Sequence, residues 1–203
     1  MKIAVIGASG NVGACVVTEL ANRGHAITAI ARSVEKIAAQ PHVTAARGDV
    51  SDPGSLAPLL SGHDAVVSSI HFLDFDPGKL IGAVKASKVT RYLVVGGAGS
   101  LEVAPGVRLV RTPGFPAQYK PEAEKGAAFL DLLRLQKDLN WTFLSPAALF
   151  VAGERTGQFR LGTDQLLTDT SGKSWISFED FAVALADEIE RPAHPRARFT
   201  VGY

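Results

Sequence analysis

Cysteine is almost missing from this chain: Cys15 is the single one in 203 residues. One thiol cannot build an internal disulfide framework, so the fold must rest on packing. An excess of one charge is missing as well. The 21 Lys and Arg stand against 20 Asp and Glu, a formal net charge of +1. That balance leaves no electrostatic footprint for a nucleic acid. No apolar run approaches the ~20 residues of a membrane span, so no membrane partner is expected. The first apolar stretch breaks at Gly7 and has no signal-peptide pattern. These absences predict a cytoplasmic protein. There is no internal repeat and no low-complexity tract. No cluster of ligating residues argues for a metal.

What is present is an alternation of strand-like and helical patterns. Strands are predicted at Ile3–Ile6, Ala26–Ala31, Val43–Arg47, Ala65–Ser69, Tyr92–Val95, Trp141–Leu144 and Phe199–Gly202. Helices are predicted near Asn11–Arg23, Val34–Ala39, Gly54–Leu60, Lys79–Ser87, Glu122–Leu139 and Phe178–Glu190. The strand runs are continuously apolar, as strands buried on both faces must be. The alternation therefore predicts an α/β fold, a doubly wound parallel sheet with helices on both faces. Punctuation agrees. Gly24 follows the first helix, where a glycine closes a C-terminus. Asp52-Pro53 offers an N-cap followed by proline. Ser177-Phe178-Glu179-Asp180 resembles a capping box with Asp180 in place of Glu. Two stretches, Gly96–Pro121 and Ala152–Ser174, read as long irregular loops. Both follow strands of the second half of the sheet, at the carboxyl edge where open α/β sheets bind ligands.

The most informative segment is Gly7-Ala8-Ser9-Gly10-Asn11-Val12-Gly13, directly after the first strand. Gly7 lets the chain turn off the strand. Gly10 lets backbone approach a phosphate. Gly13 lets the helix pack close to the strand. The helix N-terminus then faces a dinucleotide pyrophosphate with free N–H groups and a positive dipole end. Ser9, Asn11 and Val12 belong to the same cradle.

Arg32-Ser33 ends the second strand, where an NAD site usually carries Asp or Glu for the ribose 2′-OH. A guanidinium there suits a 2′-phosphate through paired charge-assisted hydrogen bonds. This favours NADP(H) over NAD(H); the alternative is a solvated arginine at a strand end. Gly48-Asp49-Val50 ends the third strand. Asp49 either accepts from the adenine amino group, with Val50 beside the ring, or simply begins a turn. Ser68, Ser69 and His71 follow the fourth strand, on the ribose and nicotinamide side, where His71 is either a proton donor or an ordinary solvent-exposed loop histidine. Phe72 and Phe75 either floor a substrate pocket or pack the loop. After the fifth strand, Gly97 would let the chain pass the nicotinamide. Ser100 is then a candidate donor to a substrate carbonyl, or an ordinary loop serine.

Taken together, Gly7-x-x-Gly10-x-x-Gly13, Arg32, Gly48-Asp49, the run to Ser100 and Trp141-Thr142-Phe143-Leu144-Ser145-Pro146 resemble the atypical short-chain dehydrogenase/reductases. The likeness is to the small NmrA-like NAD(P)H-binding proteins and the flavin/biliverdin reductase group, over nearly the whole chain. The resemblance implies a Rossmann sheet of strand order 3-2-1-4-5-6 plus a short C-terminal strand. It implies one NAD(P)-binding domain over 1–203, with a small substrate-side addition from about 147 to 203. It also puts Pro146 on the nicotinamide side.

One departure is plain. Active short-chain dehydrogenases usually carry Tyr-x-x-x-Lys, in which lysine lowers the pKa of a proton-donating tyrosine. Tyr92 is followed four residues on by Gly96, Tyr119 by Ala123, and Tyr203 ends the sequence. Tyr119-Lys120 lies in about the right region without helical spacing, so Tyr119 is either a donor or a structural or lid residue. The expected activity is hydride transfer from NADPH to a flavin, quinone or similar conjugated small molecule, which tolerates a weak acid. The alternative is a non-catalytic dinucleotide-sensing regulator with a protein partner. A sugar-nucleotide epimerase or dehydratase is a further alternative, although its relatives devote a larger C-terminal domain to substrate. A homodimer is compatible with all three.

Overall fold

The computed structural model describes residues 1–203. The strands are β1 (Lys2–Ile6), β2 (Ala26–Ala31), β3 (Val43–Arg47), β4 (Ala65–Ser68), β5 (Arg91–Val95), β6 (Glu102–Ala104), β7 (Val107–Arg108), β8 (Asn140–Pro146), β9 (Leu149–Val151), β10 (Arg160–Gly162), β11 (Trp175–Ser177) and β12 (Ala197–Gly202). The α-helices are α1 (Asn11–Asn22), α2 (Pro53–Leu60), α3 (Pro77–Ala86), α4 (Lys120–Arg134) and α5 (Phe178–Glu190).

Eight strands form one sheet in the order β10-β12-β8-β5-β4-β1-β2-β3. All neighbours run parallel except β10, which lies antiparallel on β12. This is a doubly wound Rossmann sheet, and β12 is the expected C-terminal strand.

Period-two alternation explains why the strands are apolar on both sides. Ile3 and Val5 of β1 join a core with Val16, Val17 and Leu20 of α1 and Phe181, Leu185 and Ile189 of α5. Ala4 and Ile6 join the opposite core, with Leu56 and Leu60 of α2, Leu80 and Val84 of α3, and Phe129, Leu130 and Leu133 of α4. Cys15 packs half-buried against the first core. Burial and the nearby Glu179 push its thiol up, so it rests as a small apolar residue.

The caps behave largely as their residues dictate. The Asp52 side chain accepts from Ser55 N–H, with Pro53 at the first helical position. Ser177 Oγ accepts from Asp180 N–H at 3.0 Å. Asp180 does not reach back to close the box. It accepts from the Thr156 hydroxyl, Gly157 N–H and the Tyr203 hydroxyl instead. It thereby fastens the loop after β9 to the start of α5.

Three expectations need correction. The helix expected at Val34–Ala39 is one 3-10 turn, Val34–Lys36. Val34 and Ile37 are its only half-buried apolar residues at helical spacing, with Ala38 exposed, which is too little stripe to hold a helix. The helix α4 ends at Arg134 rather than Leu139, because Leu139 turns back into the core while Leu135 stays exposed. The two irregular stretches contain short strands. The pair β6–β7 forms a hairpin, β9 pairs with β11, and β10 edges the main sheet.

The amino end of the sheet is closed. Buried Arg91 and Glu188 pair at 2.8 Å, and Glu188 also accepts from the Ala193 and His194 N–H groups. Such a pair is tolerated because most of its remaining hydrogen-bonding capacity is used, the Arg91 Nε–H alone lacking a partner. The carboxyl end stays open between β1 and β4. There the strand order reverses, the place where such sheets bind ligands.

Candidate functional site

Gly7 leaves β1 with φ of +80°, a conformation that favours glycine. A Cβ there would stand 2.0 Å from the Ser69 carbonyl oxygen. A Cβ on Gly13 would stand 2.1 Å from the Gly7 carbonyl oxygen. The turn is therefore pressed between β4 and the first turn of α1. Gly7 and Ala8 both donate to the Ile30 carbonyl, at 2.9 and 3.2 Å, which ties the turn to β2.

Gly10 is the N-cap of α1. It has no side chain to cap with, and the first turn holds no acidic residue. The first N–H groups of a helix have no intrahelical acceptor, and its N-terminus carries about half a positive charge. An uncapped, acid-free N-terminus behind a tight glycine turn fits a pyrophosphate.

This turn forms one wall of an open cleft of about 500 Å³. Gly7, Ser9, Gly10, Asn11 and Val12 line that wall. Arg32, Ser33 and Lys36 line one end, beside Gly48 and Val50. Arg32 is exposed and has no carboxylate within salt-bridge distance. Ser69, Ile70, His71, Phe72 and Asp74 carry the cleft along the loop after β4. Gly96, Glu122, Phe150 and Phe178 complete the other end. One structure thus gathers a phosphate cradle, a cationic end and an aromatic end with two carboxylates.

Other expected site residues stand elsewhere. Ser68 is buried, and its Oγ hydrogen-bonds the Tyr92 hydroxyl at 2.7 Å, because its position on β4 turns it into the core. Tyr92 is itself fully buried, does not line the cleft, and has its phenol held well above its ordinary range by that burial. The Asp49 carboxylate accepts from Ser51 N–H at 2.8 Å. That bond and the nearby Arg32 hold it below the usual carboxylate range. It begins a turn outside the cleft wall, while Val50 faces in.

Ser100 is buried and accepts weakly from Arg198 Nη1 at 3.4 Å. A role as donor to substrate does not fit that position. Tyr119 and Lys120 are exposed at the start of α4 and do not line the cleft. Pro146 is buried beside Val201, since β12 covers that edge of β8. A Cβ on Gly97 would make ordinary van der Waals contact with Phe72 Cε2 at 3.4 Å. The tight position is Gly96, where a Cβ would stand 2.3 Å from the Phe143 ring. Phe72 does both things foreseen for it. It packs against Phe129 and Phe143 and also lines the cleft, whereas Phe75 packs on Phe129 outside it.

Residues not foreseen are Lys36, Asp74, Glu122 and Phe178. Glu122 has the clearest local signal, an acid in the first turn of α4. Its carboxylate is turned away from its own helix. It accepts from Phe72 N–H at 2.6 Å and Leu73 N–H at 3.0 Å, and stands 3.5 Å from His71 Nδ1. Such a contact spans 50 residues, so local pattern alone does not disclose it.

The chain's relatives agree with this geometry. Residues 7–192 match the family model described as NAD(P)H-binding. The protein YwnB of Bacillus subtilis (strain 168) is 42% identical over 211 residues, covering 99% of this chain and 98% of YwnB. A crystal structure from Bacteroides thetaiotaomicron, provisionally named an epimerase, is 41% identical. It superposes with a TM-score of 0.95 over 100% of this chain and 96% of that one. One from Streptococcus pneumoniae TIGR4, provisionally named an NADH-flavin reductase, is 38% identical with a TM-score of 0.83 over 100% and 99%. The glycine turn, the sheet order and this full-length similarity lead to one conclusion: the chain belongs to the NAD(P)H-binding family, as an NmrA-like member.

Proposed function

We propose that this protein is an NADPH-dependent reductase of small conjugated acceptors, such as flavins or quinones. The observation that carries the reading is the cationic end of the cleft. Arg32 and Lys36 flank Ser33, and neither of the cleft's two carboxylates, Asp74 and Glu122, comes from that strand end. A 2′-phosphate supplies the charge those side chains lack, and a bare ribose does not.

In this reading the reduced nicotinamide supplies hydride. The chain supplies binding, orientation and dryness. The turn from Gly7 to Gly13 holds the pyrophosphate through N–H groups. Val50 offers an apolar edge to the adenine. Phe72, Phe150 and Phe178 give a planar acceptor flat surfaces and exclude water from one side. Phe150 is itself braced edge-on by Phe178, centroids 4.8 Å apart.

Equilibrium titration of NADPH and NADH, followed by turnover with flavin and quinone panels, tests this. Tighter NADPH binding with turnover of at least one acceptor is expected. Equal affinities would remove the 2′-phosphate assignment, and no turnover of any acceptor would remove the reductase. One observation favours a second reading, a dinucleotide sensor: Ser100, Tyr119 and Lys120 all stand outside the cleft. A sensor would bind NADP⁺ and NADPH with different affinities and change its association with a protein partner, without turnover.

A further inference from the structure

We propose that His71 is the proton donor of this cleft, positioned by Glu122, and that the acceptors therefore include conjugated carbonyl compounds, which take up a proton as they take up hydride. The proposal rests on the reductase reading above.

The geometry comes from two elements. His71 lies on the loop after β4, lines the cleft, and keeps 83% of its side chain exposed. An exposed loop histidine is ordinarily mobile. This one is held from behind. Glu122 takes the N–H groups of the two residues that follow it, one on each carboxylate oxygen. The same carboxylate stands 3.5 Å from Nδ1, within ion-pair range. Phe72, the next residue, is seated in a slot on α4. A Cβ on Gly126 would stand 2.7 Å from its ring, so glycine there is what lets the ring in. The ring also stacks on Phe143, with centroids 6.2 Å apart and planes 16° apart.

The helix α4 thus anchors the loop at a carboxylate and at a notch. A carboxylate facing Nδ1 favours the proton there and leaves Nε2 for the cleft, the arrangement by which a third group orients an acid or base. The other charged groups lining the cleft are Asp74, on the same loop, and Arg32 and Lys36 at the opposite end.

The step balances as follows. The acceptor carbon gains hydride from NADPH, forming a C–H bond. The carbonyl π pair moves to oxygen, and that oxygen takes the proton from His71 Nε2. The acceptor is reduced by two electrons and the nicotinamide is oxidised. A solvent proton then restores the imidazolium. Glu122 is a positioning residue, since it acts through His71.

The test uses wild type, His71→Gln and Glu122→Gln. The probes are 9,10-phenanthrenequinone, whose carbonyl needs a proton, and FMN, which takes its protons from solvent. NADPH affinity is measured by titration. Imidazole ¹⁵N spectra are recorded on protein without cofactor. His71→Gln is expected to lose far less FMN turnover than quinone turnover, because only the quinone draws its proton from the imidazole. Its quinone turnover should fall about 100-fold, the typical size of a general-acid contribution. The pH dependence of quinone turnover should flatten with it. Glu122→Gln should shift the His71 ¹⁵N tautomer signature and lower quinone turnover by a smaller factor.

Quinone turnover and pH profile unchanged in His71→Gln, at unchanged NADPH affinity, would overturn the proposal and leave the reductase reading intact. A His71 spectrum that is insensitive to Glu122→Gln would overturn the positioning role. A wild type that binds NADPH and reduces neither probe would overturn the reductase reading and this one together.

Discussion

Two glycine-rich turns leave the carboxyl edge of the same sheet, and they are built for opposite ends. After β1, Gly7 and Gly13 are required because backbone carbonyls approach them, 2.0 and 2.1 Å from a would-be Cβ. What results is a bare loop facing a cleft. After β5, Gly96 and Gly99 are required chiefly because side chains approach them, although the Leu144 carbonyl oxygen would also stand 2.6 Å from a Cβ at Gly96. The Phe143 ring fills the space at Gly96, and Ala123 of α4 stands 2.7 Å from a Cβ at Gly99. What results is a filled joint, with Ser100 buried and Gly96 alone reaching the cleft. Glycine content marks close approach in both cases. The protein itself makes that approach in both, and which turn is left facing the cleft is a tertiary fact.

The comparison can be broken at its strongest point. Gly7→Ala puts a Cβ at positive φ into a carbonyl oxygen, so a loss of about 3 kcal/mol or more, or no folded protein, is expected in urea melts. Near-normal stability would show that the first turn has slack the geometry denies. Next in size is the charge beside that turn. Arg32→Ala should weaken NADPH about 10- to 100-fold, the range for a hydrogen bond to a charged group, while NADH is unchanged by direct titration. A parallel loss for both dinucleotides would move the role of Arg32 away from the 2′-phosphate.

The second turn should respond in stability without a matching change in binding. Gly99→Ala must push α4 away and should cost about 1–3 kcal/mol, with NADPH affinity held within about twofold. Gly97→Ala, whose Cβ would only touch the Phe72 ring at 3.4 Å, should change stability by less than about 0.5 kcal/mol. A large loss of NADPH affinity in Gly99→Ala would erase the distinction between the turns.

The smallest expected effect concerns how α1 is held behind the first turn. Arg155 donates to Glu19 at 2.7 and 2.9 Å, and Arg23 donates to it at 2.8 Å. The bond from Arg155, foremost, holds the Glu19 carboxyl below its usual range against the opposing effect of burial. A carboxyl depressed in the folded state stabilises above its unfolded pKa, and that contribution fades as pH falls through the folded value. Glu19→Gln should therefore lower the melting temperature at pH 7 and converge on wild type below about pH 4. A constant gap across that range would mean packing, not charge, accounts for the loss.

Much of this was legible in residue order because the physics was local. A four-residue apolar run, a glycine turn and an amphipathic helix are contiguous, and each element's period or cap is written within a few positions. The same holds for Asp52-Pro53 and Ser177. Legibility failed where a side chain's partner is distant. Ser68 and Ser69 are adjacent, yet strand alternation sends one into the core and leaves the other on the cleft. Ser100 looked like a donor after a loose loop, until Arg198 and α4 enclosed it.

Beyond the strand order, which the family resemblance implied, the sequence by itself determined the strands and helices of the sheet, the glycine turn after β1 and the cation at the end of β2. Those follow from periodicity, glycine sterics and charge within short windows. Only the tertiary structure decided which polar side chains face the cleft. It removed Ser68, Ser100, Tyr119 and Lys120, and brought in Lys36, Asp74 and Glu122. The reason is physical: a binding cradle here is made by one contiguous turn, whereas its chemical end is assembled from α4 and the loops after β4 and β5, whose meeting depends on packing across tens of residues.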